Sequence, residues 1–406
     1  MKNINCNNSI EPAHRVSQVE EYYFSRKLKE IAQMNNEGLD VINLGIGSPD
    51  LTPSENTLKG LHRDSLRKDA NGYQPYVWIP AFRKAYSEWY QRWYHVSLDP
   101  NTQIQPLIGS KEGILHITLA FVNPGDKVLV PDPGYPTYSS VSRLAEAQII
   151  KYDLTEENGW EPDFQALENQ DLTGVKLMWV NYPNMPTGKK ASLELFQKIV
   201  DFGRKHNIVI VNDNPYSFIL NDNPLSILNI EGAQDICIEL NSMSKSHNMP
   251  GWRIGVACSN PQFIQWILRV KSNIDSGVYR PLQIAGIEAL KNSKEWHQQN
   301  NDIYRRRRVK AEAIMNLIGC QFDSQQSGLF LWGRIPDAME ESEILTEEIL
   351  HKANVFITPG KIFGKNGRRY VRISLCAPEE TLEKAYQRIK KALFASSASE
   401  TETINQ

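Results

Sequence analysis

The run Ile236-Cys237-Ile238-Glu239-Leu240-Asn241-Ser242-Met243-Ser244-Lys245-Ser246-His247-Asn248-Met249-Pro250-Gly251-Trp252-Arg253-Ile254-Gly255 opens on an apolar, β-branched stretch of strand length. A polar turn follows it, and the turn carries a lysine, Lys245. A serine, Ser242, stands three residues before that lysine, and Arg253 stands eight after it. Lysine is the side chain that condenses with carbonyl compounds. Serine and arginine are good donors to phosphate. A strand that delivers these groups together suits a ligand with both a carbonyl and a phosphate. An isolated Ser-x-x-Lys also reads as a surface lysine beside a helix-capping serine, so the neighbouring segments have to decide.

Outward from this run, strands and helices alternate. Strands are expected at Ile104–Ile108, Lys127–Pro131, Gln148–Tyr152, Val175–Asn181 and Ile208–Asp213, with amphipathic helices between them, as at Ser192–His206. Such alternation predicts a mainly parallel, twisted α/β sheet covered by helices on both faces. Ligands of these sheets lie beyond the carboxyl ends of the strands. Ser110, Asn184, Asp213 and Lys245 all fall at such ends. The turn Gly109-Ser110-Lys111-Glu112-Gly113 leads from a strand into an apolar helix, an arrangement that offers free N–H groups to an anion. Ser110 reads equally well as an ordinary N-cap.

The flanks differ from this centre. An N-terminal helix carries Tyr22, Tyr23, Phe24, Leu28 and Ile31 as an apolar stripe, and Val41–Asp50 is a short strand opening into a Gly/Pro turn. Phe82, Ala85, Tyr86, Trp89 and Tyr90 recur at helical spacing and are expected in the core. From Tyr279 onward the pattern becomes that of a smaller α+β unit, with strands at Gly328–Trp332, Val355–Thr358 and Tyr370–Leu375 and a last helix from Pro378. Arg305-Arg306-Arg307-Arg308 reads as a solvated helix face. The expected division is an N-terminal arm and part of the small domain (1–50), a large domain (51–278), a C-terminal small domain (279–394) and a Ser/Thr/Glu-rich disordered tail (395–406).

Composition narrows the classes. Among 406 residues, 41% are hydrophobic and 23% charged, as in ordinary globular proteins, and a net charge of −2 gives no electrostatic footprint for nucleic acid. No apolar run approaches the ~18 residues of a membrane span. Five scattered cysteines without a Cys-x-x-Cys fit a reducing cytoplasm and argue against a zinc site.

The chemistry of the polar strand ends is that of pyridoxal 5'-phosphate (PLP). Lys245 would hold its carbonyl as a Schiff base. A buried carboxylate should face the ring nitrogen and keep it protonated, and Asp213 stands on the preceding strand. Tyr216, three residues on, could donate to the ring hydroxyl's oxygen, and Tyr135, in a Pro-Gly-Tyr-Pro turn, could stack on the ring. Ser110, Lys111, Ser242 and Arg253 would neutralise the phosphate. Arg372 is alone among apolar residues in Tyr370-Val371-Arg372-Ile373-Ser374. A planar bidentate donor in that setting suits a substrate carboxylate, or else forms an internal salt bridge.

These motifs together resemble the class I/II aminotransferases, PLP enzymes of fold type I related to aspartate aminotransferase. The likeness runs from about residue 20 to 394 and rests on Asn43-Leu44-Gly45-Ile46-Gly47, Gly109-Ser110-Lys111-Glu112, Pro133-Gly134-Tyr135-Pro136, Pro186-Thr187-Gly188, Asp213-x-x-Tyr216, Ser242-x-x-Lys245 with Arg253, Pro359-Gly360-x-x-Phe363-Gly364 and Val371-Arg372. The resemblance implies a large domain with a seven-stranded, mainly parallel sheet and a smaller α+β domain. It implies Lys245 as the Schiff-base lysine, Asp213 on the pyridinium, Ser110, Lys111, Ser242 and Arg253 on the phosphate, Tyr135 on the ring, Arg372 on the α-carboxylate and the backbone of Gly45 beside the substrate. It further implies a homodimer in which Tyr73 reaches the partner's phosphate. Two departures stand out. Met185 occupies the position before Pro-Thr-Gly where the family has an asparagine for the ring hydroxyl, so Asn184, one residue earlier, is expected to serve instead. Trp78 stands where a glycine is common, a place where a bulky ring could reshape the substrate entrance.

The expected activity is transfer of the amino group of an L-amino acid to a 2-oxo acid, with 2-oxoglutarate the expected acceptor, by a ping-pong cycle. The alternative on the same fold is a PLP-dependent lyase, either a C–S lyase or one like aminocyclopropane-carboxylate synthase. No second arginine is assignable by motif to a distal carboxylate, so the donor stays open among aspartate, alanine, aromatic amino acids, methionine and diaminopimelate.

Overall fold

A computed structural model describes residues 11–403, with side chains described through residue 393. Its centre is a seven-stranded sheet. In chain order the strands are β1 (Ile104–Leu107), β2 (Lys127–Asp132), β3 (Gln148–Asp153), β4 (Val175–Val180), β5 (Val209–Asn214), β6 (Cys237–Ser242) and β7 (Gly255–Cys258). Across the sheet the order is β1-β7-β6-β5-β4-β2-β3. Only β7 runs antiparallel to its neighbours, β1 and β6; the other pairings are parallel. The expectation of a mainly parallel sheet of seven strands holds. β5 and β6 are buried along nearly their whole length, which is why they read as continuous apolar runs rather than alternating ones.

The principal helices are α1 (Tyr23–Asn36), α2 (Pro80–Tyr94), α3 (Ser110–Phe121), α4 (Pro136–Leu144), α5 (Leu193–His206), α6 (Arg280–Leu290), α7 (Lys294–Leu317), α8 (Ser342–Ala353) and α9 (Glu379–Thr403). α5 shows how local sequence sets the bounds. Ser192 accepts from the Leu195 amide at its start, Asn207 ends it in the left-handed conformation, and Leu195, Phe196, Ile199 and Val200 form the buried face. The aromatic face of α2 is core, as expected, with Phe82, Tyr86, Trp89 and Tyr90 each at most 1% exposed.

A second core gathers residues from both ends of the chain. Phe24, Ile31 and Met34 of α1 pack with Leu331 and Trp332 of β8 (Phe330–Arg334), with Val371 and Ile373 of β9 (Tyr370–Ser374), and with Leu382, Ala385 and Ile389 of α9. Leu28 of the predicted stripe is instead exposed. Ile42–Asn43 pairs in parallel with Val355–Phe356 and so ties the N-terminal segment to this layer. α6 belongs to the first core, where Ala289 and Leu290 pack, and Gly286 admits the Phe82 ring. In packing terms the second core therefore begins within α7, later than the boundary expected near residue 278. The backbone of α9 continues helically to Thr403, into the stretch 395–406 expected to be a disordered tail; residues 404–406 lie outside the described residues.

Two sequence expectations are corrected here. Trp78 does not stand at an entrance. It is fully buried against Phe82, with ring centroids 4.8 Å apart, and its φ of 59° explains why glycine suits the position. The arginine run is not uniformly solvated either. Arg307 is buried and makes a two-pronged ion pair with Asp50, both contacts at 2.7 Å. Four cysteines, Cys237, Cys258, Cys320 and Cys376, are buried as free thiols, and Cys6 lies outside the described residues. No described helix is long and apolar enough to cross a membrane.

Candidate active site

The carboxyl ends of β1, β5 and β6 open on a cavity of about 480 Å³ whose other wall comes from α1, β8 and β9. Asp213 sits near the end of β5 and Ser242 ends β6. Lys245 follows in the single helical turn Met243–Ser246. Between β1 and α3, Gly109 adopts a φ of 79°, and a Cβ there would lie 2.1 Å from the Arg253 guanidinium. That glycine lets the arginine lie against the first turn of α3, where Ser110 and Lys111 begin the helix. Gly255 has the same role from β7, since a Cβ would come within 3.1 Å of the Ser110 amide nitrogen.

Nearly all the predicted residues meet here. Ser110, Lys111, Tyr135, Asp213, Tyr216, Ser242, Lys245, Arg253 and Arg372 line the one cavity. Gly45 stands just behind it, with its carbonyl accepting from Arg372 Nη2 at 2.7 Å and from Thr358 Oγ1 at 3.0 Å.

Charge is the cavity's distinctive property. Lys111, Lys245, Arg253 and Arg372 all line it, and among the described residues Asp213 is the only carboxylate that does. Among the described residues none of these four cations forms a salt bridge. Lys245 Nζ donates to the carbonyl of Gly47. Burial lowers its pKa, and the Arg372 and Arg253 charges act the same way against the opposing influences of Cys376 and Asp213. Arg253 donates to the Pro250 carbonyl at 2.9 Å and approaches Ser244 Oγ at 3.5 Å. Lys111 Nζ lies 4.9 Å from the centroid of the Tyr22 ring, and its pKa is lowered by burial and by Arg253.

Arg372 is buried with Phe330, Phe363 and Phe24 at 3.8, 4.6 and 5.6 Å from its guanidinium carbon. Desolvation pulls its pKa down to about 10. Its Nε has no hydrogen-bond partner. The internal salt bridge that would have made this arginine merely structural is not present among the described residues. A buried guanidinium without a counter-charge is costly unless an anion completes it.

Asp213 shows the converse. Oδ2 accepts from Tyr138 Oη at 2.9 Å, whereas Oδ1 is buried without a partner. Burial raises its pKa to about 6, against the lowering influences of Tyr138 and Lys245. A cationic donor facing Oδ1 would complete it.

The predicted set has two exceptions. Asn184 does not reach the cavity. Its carboxamide oxygen accepts from Thr187 Oγ1 at 2.8 Å and from the Thr187 amide at 3.3 Å, and its Nδ2 donates to the Asn181 carbonyl at 3.2 Å, so the turn itself consumes the side chain. Met185 is the residue presented, with Sδ 3.2 Å from Arg372 Nη1. Tyr73 is 96% exposed and takes no part in the cavity of its own chain.

Several lining residues escaped the sequence reading, Tyr138, Asn181, Tyr22, Phe24, Ser244 and Phe330 among them. Tyr138 lies one turn along α4 from Tyr135, a spacing that puts both on the same side. Asn181 follows the last residue of β4, ahead of the Pro-Thr-Gly turn, and donates to the Asp213 carbonyl at 2.5 Å. Tyr22 and Phe24 appeared only as members of an apolar stripe.

Fold and cavity define a class, and comparison with known proteins identifies it. Residues 39–389 match the family model for aminotransferase class I and II, and the chain belongs to that family. It is an enzyme of the aminotransferase class. LL-diaminopimelate aminotransferase from Dehalococcoides mccartyi strain 195 is 39% identical over 377 residues, 92% of this chain and 97% of that protein. The enzyme of that name from Aquifex aeolicus is 38% identical over 383 residues, 94% of this chain and 99% of that protein. Among solved structures, substrate-bound BacF from Bacillus subtilis superposes with a TM-score of 0.89 at 34% identity, covering 95% of this chain and 98% of that one. A probable N-succinyldiaminopimelate aminotransferase from Thermus thermophilus gives 0.84 at 32% identity, covering 91% and 99%. These relatives speak for amino-group transfer rather than for the lyase alternative.

Proposed function

We propose that the chain binds pyridoxal 5'-phosphate in this cavity and moves the amino group of an L-amino acid to a 2-oxo acid, with 2-oxoglutarate the expected acceptor. The observation that carries this reading is the charge imbalance: four cations without counter-ions and one carboxylate with an orphaned oxygen. A phosphate dianion, a substrate carboxylate and a protonated ring nitrogen supply the complementary charges.

When bound, the cofactor supplies a carbonyl that condenses with amines and a ring that accepts electrons. Ser110, Lys111, Ser242 and Arg253 would hold its phosphate, together with Ser244, which Arg253 approaches. The first-turn amides of α3 would contribute as well. Asp213 would offer its unpartnered Oδ1 to the ring nitrogen, and Tyr138 holds that carboxylate in place through Oδ2. Tyr135 would pack on the ring. Tyr216 would serve the ring hydroxyl without help from Asn184, whose amide is committed to its turn. Arg372 would take the α-carboxylate as a planar bidentate donor. Lys245 would hold the cofactor's carbonyl and, as a free amine, would move the proton at the substrate's α-carbon. Burial and two neighbouring arginines lower its pKa, so more of the amine is neutral and basic at working pH. A homodimer that brings Tyr73 to the partner's phosphate belongs to this reading, supported by a side chain with no role in its own cavity. A cytoplasmic location also belongs to it, consistent with four buried free thiols.

The test is stoichiometric. Protein supplied with the cofactor, an amino donor and 2-oxoglutarate should form glutamate and the donor's oxo acid in equal amounts. Release of ammonia or pyruvate without an acceptor would replace transfer with elimination.

A further inference from the structure

Four titratable side chains meet behind the turn that opens α3, and the proposed reaction uses none of them. Glu112, in the first turn of α3, accepts from the Ile108 amide at 2.5 Å through Oε2 and so closes the turn Gly109-Ser110-Lys111 from behind. Its Oε1 faces His116 Nε2 at 2.7 Å and Lys271 Nζ at 3.3 Å. Lys271 ends the helix Pro261–Lys271 and also donates to Asp275 Oδ1. His116 and Lys271 are fully buried. Glu112, His116 and Asp275 are spaced as metal ligands would be, but the Lys271 ammonium already supplies the cation that the two carboxylates share.

The cluster has a second end. The Asp275 amide donates to the Lys271 carbonyl at 3.0 Å, which fixes the start of the loop that follows. Two residues on, Gly277 pairs antiparallel with Gln74, so closely that a Cβ on Gly277 would lie 2.3 Å from the Pro75 carbonyl oxygen. Tyr73, exposed and absent from its own cavity, is the neighbour of Gln74.

We propose that Glu112, His116, Lys271 and Asp275 are positioning residues for the cofactor's phosphate, holding on one cluster both the turn that receives a chain's own phosphate and the segment that carries Tyr73 to its partner; this rests on the proposed function and its homodimer. Backbone amides and a short serine side chain reach a phosphate only when their turn is placed to a fraction of an ångström. Charge acts in the same direction. Two carboxylates behind a site for a dianion would repel it, and Lys271 offsets them. None of the four lines the cavity, so none acts on the ring or carbonyl directly.

The experiment titrates the cofactor-free full-length protein with pyridoxal 5'-phosphate and, separately, with pyridoxal, which has the same ring and carbonyl but no phosphate. Schiff-base absorbance reports both. Lys271→Met should weaken pyridoxal 5'-phosphate binding at least about tenfold while pyridoxal binding shifts by less than about threefold. Glu112→Gln is the near-isosteric second variant should Lys271→Met fold poorly. Its carboxamide has one acceptor atom where two are used, and the same selective loss is expected. Equal losses for both ligands, or none for either, in a folded variant would overturn the assignment while leaving amino-group transfer intact. A wild-type protein that binds neither ligand would remove the proposed function, and this assignment with it. The link to the partner is read in hybrid dimers in which one subunit carries Lys245→Ala, so that only the other site gives the absorbance. Adding Lys271→Met to the Lys245→Ala subunit should weaken cofactor binding at the intact site by about threefold or more. No change there removes the link to Tyr73.

Discussion

Arg307 and Arg372 are both buried in the smaller layer of the fold, yet their surroundings are opposite. Arg307 lies on α7 with Asp50 clasping both terminal nitrogens at 2.7 Å. Arg372 lies on β9 with a backbone carbonyl, a thioether and three aromatic rings, and with no carboxylate among the described residues. A paired buried charge already has its counter-ion, and here it tethers the Gly/Pro turn after Gly47 to α7. An unpaired one waits for a ligand. Burial alone does not distinguish the two, because both arginines interrupt apolar surroundings. The location of the counter-charge distinguishes them.

The comparison can be broken most severely at the centre of the cavity. Lys245→Ala should lower kcat by about 10⁴-fold or more in a folded protein, the scale of losing a covalent and proton-carrying group. Near-normal turnover in that variant would remove the reason for reading the unpaired cations as a site.

Next comes the contrast itself. Arg372→Lys should lower kcat/KM by about 100-fold, because a point charge cannot replace the planar fork on a carboxylate. Thermal stability should hold or rise, since a buried lysine, unlike arginine, can shed its proton. Arg307→Ala should do the reverse. It strands Asp50, which is one-third exposed, and should cost about 2–3 kcal/mol of stability by denaturant titration, with donor KM little changed. If both variants lost stability equally and neither moved KM, the distinction between the arginines would fail.

The smallest expected effect concerns Asp213. Its folded pKa of about 6 stands above the ordinary 3.8. For the protein free of cofactor, this group's stabilising contribution is full below about pH 3.8 and disappears as pH climbs through about 6. Asp213→Asn should therefore stabilise the cofactor-free protein at pH 7.5 by about 1–2 kcal/mol and flatten its pH dependence between about 4 and 6. The same variant should bind cofactor more weakly. A wild-type protein whose stability rises across that pH window through this group would contradict the assigned orphan oxygen.

Much of this was legible before any coordinates. Strand runs that end in Asp213 and Ser242, and a lysine just past one of them, are local features, and a parallel sheet gathers its carboxyl ends at one edge. Arg372 was legible because a charge inside an apolar strand demands an explanation. Pairing was not legible. Asp50 and Arg307 are 257 positions apart in the chain, so no local pattern separates that arginine from its exposed neighbours. Asn184 misled because composition reports a carboxamide and not its direction; the turn at Thr187 claims it. Trp78 misled because burial of a positive-φ residue depends on the packing of α2 beneath it. Tyr22 and Phe24 were read as core because an apolar stripe reads the same whether it packs in a hydrophobic layer or lines a cavity.

Treating the protein with pyridoxal 5'-phosphate, reducing with borohydride and mapping the modified peptide by mass spectrometry tests the central claim most directly. The reading predicts one stoichiometric phosphopyridoxyl group on Lys245, abolished in Lys245→Ala. Labelling spread over surface lysines, with Lys245 unmodified, would contradict it.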